Sequence, residues 1–219
     1  MTRIKICGIK DKTLTLAAID AGTDLIGQVF APSHRQITPA QSREIVDTVR
    51  KNGGTVEVVG IFVNLPAPEV NRIANFCDLD WVQLSGDESW EYCRQITKPL
   101  MKAVRIKQGQ SPQQIHATLA TGAKLLAGQR CIYLLDSQVK DRYGGTGITF
   151  DWSLAQQASG QFPVIIAGGL TPENVAQAIE LATPWGVDVS SGVEVDCVKD
   201  IAKILAFIKA VRRADDGKR

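Results

Sequence analysis

Histidine is scarce in this chain: only His34 and His116 occur among its 219 residues. Neither stands at a metal-ligand spacing, and the inventory makes a zinc centre or a Ser-His-Asp triad hard to build. Paired cysteines are missing as well. Cys7, Cys77, Cys93, Cys131 and Cys197 lie far apart with no CxxC, and an odd number without an export signal reads as free, reduced thiols. No apolar run approaches the roughly 20 residues that span a bilayer. The opening MTRIKICGIKDK is charged and lacks the apolar core of a signal peptide. A cytoplasmic location and no membrane partner are therefore expected. Charge of one sign is also absent: 25 Lys and Arg against 23 Asp and Glu leave a net +2, too little to recommend nucleic acid as a partner. Lys209, Arg212, Arg213, Lys218 and Arg219 read as a solvated helix end. Acid–base chemistry is left to Cys, Asp, Glu or Lys, with no metal and no cofactor implied.

What is present is alternation. Eight β-rich runs read as strands, at 3–7, 24–30, 55–63, 81–85, 100–106, 131–136, 163–167 and 186–190. Helical periodicity fills most of the gaps: Leu14, Ala17, Ala18 and Ala21; Ile45, Val46 and Val49; Val175, Ala178, Ile179 and Ala182; Ile201, Ile204, Leu205, Ile208 and Val211. Thr171-Pro172-Glu173 reads as the opening of the seventh helix, with a capping side chain, a proline and an acidic first turn, and Asp151 opens the sixth. Eight strand–helix units of about 27 residues call for a parallel sheet, and eight is the number that closes a (β/α)8 barrel. A doubly wound sheet would want GxGxxG after its first strand. Here that turn is Cys7-Gly8-Ile9-Lys10-Asp11, with one glycine. The expectation is an α/β, single-domain (β/α)8 TIM barrel over residues 1–219.

Barrel active sites assemble at the C-terminal ends of the strands. Alternation puts Ile4 and Ile6 on one face of the first strand and Arg3, Lys5 and Cys7 on the other. The strand thus delivers a thiol to its own end beside a cationic face, where a nearby ammonium favours the thiolate. The competing reading of Cys7 is a small buried hydrophobe. In the sixth strand Ile132, Leu134 and Asp136 share a face; in the eighth, Asp188 and Ser190 do. If those faces look inward, a thiol and two carboxylates converge at one mouth. Desolvation at the end of Ile132-Tyr133-Leu134-Leu135 would raise the Asp136 pKa and suit it to general-acid work; a surface aspartate is the alternative. Gly168-Gly169 and Ser190-Ser191-Gly192 follow the last two strands, where barrels commonly bind phosphate through backbone N–H groups, unless they are ordinary tight turns. Gly144–Gly147, in a long loop after the sixth strand, is either a lid or a connector. Arg35 can clamp a carboxylate through its planar fork, or simply face solvent. Trp81, Trp90, Trp152 and Trp185 read as packing residues.

Taken together, KICGIKD at 5–11, VFAPSHR at 29–35, VGIFVN at 59–64, VQLSGDE at 82–88, LLD at 134–136, GGTGITFDW at 144–152, IIAGGLTPENV at 165–175 and DVSSGVEVDCVKD at 188–200 resemble the signature of phosphoribosylanthranilate isomerase. The segments run in family order across nearly the whole chain. The resemblance implies a step of tryptophan biosynthesis, the Amadori rearrangement of N-(5-phosphoribosyl)anthranilate to 1-(2-carboxyphenylamino)-1-deoxyribulose 5-phosphate. It implies Cys7 as general base, Asp136 as general acid, Arg35 on the anthranilate carboxylate and Asp188 near the substrate amine. Gly168, Gly169, Ser191 and Gly192 fall on the phosphate turns, so the implied partner is a phosphorylated small molecule. Several positions depart from the family pattern: Ser85 for histidine, Gln28 for an aromatic, His34 for proline before Arg35, Ile148 for lysine, and Cys197 for glycine, which would strain any positive φ there. The nearest rival is a histidine-pathway isomerase of the same reaction type, which carries aspartate where Cys7 stands. A barrel that binds phosphoesters or partner proteins without turnover is the rival from another class.

Overall fold

The structure, a computed structural model, describes residues 1–52, 54–137 and 149–217. Its strands and helices alternate as β1 (Arg3–Cys7), α1 (Lys12–Asp20), β2 (Leu25–Val29), α2 (Pro39–Asn52), β3 (Glu57–Phe62), α3 (Ala67–Phe76), β4 (Trp81–Leu84), α4 (Trp90–Cys93), β5 (Leu100–Ile106), α5 (Pro112–Leu125), β6 (Cys131–Ser137), α6 (Gln156–Ser159), β7 (Val164–Ile166), α7 (Val175–Ala182), β8 (Gly186–Val189) and α8 (Ile201–Asp216). Strands β1 to β8 form a closed barrel, sealed by parallel pairing of β8 with β1. Among the described residues no helix is long and apolar enough to cross a membrane.

Two apolar layers follow from strand alternation. Side chains such as Ile4, Ile6, Tyr133 and Leu135 point outward into the main core beneath the helices. Leu25, Val59, Trp81, Met101, Ile132, Leu134 and Ile165 point inward and fill the lower barrel. Arg130 and Arg3 lie over the rings of Trp81 and Trp185, at 4.4 Å and 5.9 Å from their centroids. The inner layer thins toward the strand C-termini, where Cys7, Val29 and Ile61 make a small separate cluster. Polar side chains occupy what remains.

The sequence periodicities are corrected at several ends. Thr171-Pro172-Glu173 is a turn, and α7 begins at Val175. Asn174 accounts for the shift: its amide accepts from the Thr171 N–H and donates to the Gly169 carbonyl, closing the turn before a helix can start. Asp151 does cap, but the segment it opens is a 3-10 turn at Trp152–Ala155 leading into α6. In α8 the buried stripe is Ile204, Phe207, Ile208 and Val211, while Ile201 and Leu205 are exposed. Arg212 is no solvated tail residue. It donates to the carbonyls of Thr2 and Gly22 and to Asp24, and Asp215 accepts from the Thr2 N–H and hydroxyl. The last helix thereby ties down the first strand. Lys218, Arg219, Ile148 and the Gly144–Gly147 turn lie outside the described residues.

One element was not foreseen. After β8 a 3-10 turn at Ser191–Val193 leads into an antiparallel hairpin, β9 (Glu194–Val195) and β10 (Val198–Lys199). Asp196 and Cys197 turn it with φ of +49° and +64°, so the strain expected of a cysteine in a glycine-like position is present.

Candidate active site

A cavity of about 560 Å³ opens at the C-terminal ends of the barrel strands. Cys7, Arg35, Asp136, Gly168, Gly169, Asp188 and Ser191 all line it. Gly192 does not. A Cβ there would collide with the Leu170 carbonyl oxygen, so this glycine packs the eighth-strand turn onto the seventh. A recess of about 550 Å³ at segments 94–99 and 125–130 is lined by neither a thiol nor a carboxylate.

At the floor, Lys5 and Asp188 face each other as register partners on β1 and β8. Lys5 Nζ donates to Asp188 Oδ1 at 2.9 Å, and the lysine is fully buried. Burial works against its ammonium, but Asp188 and Cys7 more than offset this and raise its pKa above the ordinary lysine value. Cys7 sits two residues on, 8% exposed. Lys5 does favour the thiolate, as the sequence implies, but it is not the largest influence. Burial pushes the thiol pKa up, Asp188 adds to the rise, and the cations Lys5, Lys199 and Arg35 only partly oppose it. In the free protein the sulfur is mostly protonated at neutral pH.

Asp136 enters from β6. Its carboxyl is raised to about 6, first by burial and then by the Asp188 charge, against hydrogen bonds from Ser137 and the field of Arg105. Oδ1 is buried with no hydrogen-bond partner among the described residues. Such a group can hold a proton near neutrality and donate it. Gly168 and Gly169, at φ of +80° and +65°, bend the chain past that carboxyl in the left-handed region that favours glycine.

Arg35 is fixed rather than solvated. Its Nε and Nη2 donate to Glu194 Oε1 and Oε2 at 2.7 and 2.8 Å. Lys199 Nζ donates to the same carboxylate at 2.6 Å and to the Ser190 carbonyl at 2.8 Å. Burial would raise Glu194, yet the bonds from Arg35 and Lys199 win and hold it at about 2. Gly8, at φ +85°, makes room for this stack: a Cβ would lie 2.7 Å from Arg35 Cδ. Sequence reading missed Glu194, Lys199 and Arg105. Arg105 shares the inward face of β5 with Met101 and Ala103, a signal alternation could have given. Among the described residues no cluster of three or more His, Cys, Asp or Glu is placed to hold a metal ion.

A base-capable thiol, a proton-holding carboxyl, a fixed guanidinium and two glycine turns therefore share one mouth. The family model for N-(5'-phosphoribosyl)anthranilate (PRA) isomerase matches residues 4–210. The chain belongs to the phosphoribosylanthranilate isomerase family. Relatives named N-(5'-phosphoribosyl)anthranilate isomerase include one from Dehalococcoides mccartyi, 43% identical over 100% of this chain and 99% of its own length. Another, from Moorella thermoacetica, is 46% identical over 99% and 92%. Among solved structures, the phosphoribosyl anthranilate isomerase of Thermotoga maritima superposes with a TM-score of 0.83 at 35% identity, covering 97% of this chain and 100% of that one. An isomerase solved with reduced 1-(o-carboxyphenylamino)-1-deoxyribulose 5-phosphate gives 0.80 at 34% identity, over 97% and 100%.

The departures from the isomerase pattern find local partners. Ser85 lines the cavity and accepts from Gln83 Nε2 at 2.9 Å, while its carbonyl accepts from Arg105. His34 is exposed, and it does not loosen Arg35, which Glu194 holds. Gln28 points outward and accepts from the Ser42 hydroxyl at 2.5 Å, leaving its buried Nε2 without a partner among the described residues.

Proposed function

We propose that this isomerase converts N-(5-phosphoribosyl)anthranilate to 1-(2-carboxyphenylamino)-1-deoxyribulose 5-phosphate in tryptophan biosynthesis, with Asp136 as general acid and Cys7 as general base. Asp136 gives its proton to the ribose ring oxygen, and the C1′–O bond opens to a protonated Schiff base. Cys7, as thiolate, takes the proton from C2′; the electron pair moves toward nitrogen to give an enolamine, which tautomerises to the ketone. Arg35 offers its remaining guanidinium face to the anthranilate carboxylate, and Asp188 stands near the substrate amine. Gly168, Gly169 and Ser191 cradle the phosphate, with Gly192 keeping their two turns together. We place the enzyme in the cytoplasm.

The observation that carries this reading is the lining of one cavity by Cys7 and Asp136, the acid held at a pKa of about 6. Cysteine at the end of β1 also separates the reading from the paired-aspartate rival. The test is a fluorescence assay of phosphoribosylanthranilate consumption by the purified protein. Turnover of that substrate, with none of the histidine-pathway intermediate, is expected. The reverse preference would transfer the enzyme to the rival reaction.

A further inference from the structure

The acid and base assigned above leave one buried charge unexplained. Lys5 is fully buried at the centre of the barrel, where an ion pair is commonly no more stabilising than the apolar residues that could replace it. Three neighbours fix its ammonium. Asp188 accepts from Nζ at 2.9 Å. Cys7 lies two residues on along the same strand face, and its charge favours the ammonium. Opposite lies Gly27, the register partner of Cys7 on β2, where a Cβ would stand 3.1 Å from Nζ and 3.1 Å from Cys7 Cα. The missing side chain leaves the gap that the ammonium occupies.

We propose that Lys5 is a positioning residue for the rearrangement: its ammonium, held by Asp188 in the gap at Gly27, is the fixed counter-charge that lets Cys7 become a thiolate inside the barrel. The proposal rests on Cys7 being the base. A thiol in apolar surroundings gives up its proton reluctantly. Lys5 is the largest influence opposing burial at Cys7; Lys199 of the hairpin and Arg35 of the loop after β2 act in the same direction, and Asp188 of β8 against it. Removing Lys5 therefore removes the main cation from the sulfur while the catalytic groups stay in place.

The pH dependence of iodoacetamide alkylation of the free enzyme reads this directly, with peptide mass mapping to separate Cys7 from Cys77, Cys93, Cys131 and Cys197. Two variants share one change and differ only at Lys5: Asp188→Asn, and Lys5→Met combined with Asp188→Asn, in which neither charge is left alone. At about pH 8, Cys7 in the double variant is expected to react about tenfold more slowly than in Asp188→Asn, a midpoint about one unit higher. Equal midpoints in the two would overturn the proposal. Should the double variant fail to fold, Gly27→Ala keeps the lysine but crowds its ammonium. An upward midpoint shift there supports the proposal, and an unchanged one overturns it. Cys7→Ser tests the underlying assignment separately. Wild-type turnover in that variant removes the base role of Cys7, whereas its loss, with equal alkylation in the other two variants, removes only the role of Lys5.

Discussion

Gly168 lies so close to Asp136 that a Cβ on the glycine would collide with Asp136 Oδ1. The seventh-strand turn therefore shapes the acid as well as the anion cradle. Gly168→Ala adds that collision to a φ of +80°. A carboxyl displaced by about 1 Å costs roughly a hundredfold in rate, so kcat is expected to fall by about that factor. The strained residue costs about 1–2 kcal/mol of stability. Steady-state kinetics and a thermal melt on the same sample check both.

The pH profile follows from the ordering of the two pKa values. Asp136 titrates at about 6 and Cys7 above the ordinary thiol value, so the reactive form, acid protonated and thiol ionised, is a minority species. Below about 6 the carboxyl stays protonated while the thiolate fraction shrinks, and kcat/KM falls as pH falls. Between the two values each gain in thiolate is matched by a loss of protonated acid, and the profile is level. Above the thiol pKa it falls again. A kcat/KM that keeps climbing from pH 6 to 8 would contradict this assignment.

Asp136→Asn separates activity from stability. The folded-state pKa is raised from 3.8 to about 6, so the native state binds the proton more tightly than the unfolded chain. Stability is lost as pH rises through that window, by about 3 kcal/mol. The asparagine variant is expected to be the more stable protein at pH 7.5, with no advantage near pH 3. Its kcat should drop by about 10²–10⁴. Urea denaturation at the two pH values measures the first effect.

Glu194→Gln runs the other way. Its folded pKa is lowered from 4.5 to about 2, so its contribution is present above 4.5 and disappears as pH falls through about 2. At pH 7 the variant is expected to lose about 2–3 kcal/mol. Freed from its bidentate partner, Arg35 should bind the substrate carboxylate less well, seen as a raised KM. A destabilisation that is the same at pH 3 and pH 7 would exclude the ion pair as its source.

Gln28 offers a gain. Its Nε2 is buried without a partner among the described residues, and an unmade hydrogen bond of that kind costs about 1–3 kcal/mol. Replacing both members of the pair, Gln28→Leu with Ser42→Ala, is expected to stabilise the protein by about 1 kcal/mol without changing kcat. The midpoint of denaturant unfolding is the check.

Alternation alone grouped Lys5 with Cys7, and Asp136 and Asp188 with their own strand faces, because a strand's period of two is local; that those faces look inward is seen only in the folded barrel. It also found the strand ends, and the barrel put those ends together. The buttress behind Arg35 was invisible for the opposite reason. Glu194 meets Arg35 across 159 positions of chain, and the hairpin that carries it is two residues per strand, too short for any periodicity. The start of α7 was misplaced because Asn174 spends its side chain on Thr171 and Gly169, a choice propensity does not encode. At Cys7 the sequence shows the lysine that favours a thiolate and allows for a buried thiol, but it does not weigh the two or reveal that Asp188 sides with burial.

The clasp between Thr2 and Asp215, with Arg212 beside it, has a consequence for the site. The strand bearing the sulfur has its partner on one side in β8 and its anchor in the final helix. Loosening the last helix at Asp215 therefore slackens the strand that carries the sulfur, so a change made far from the cavity reaches the reacting group.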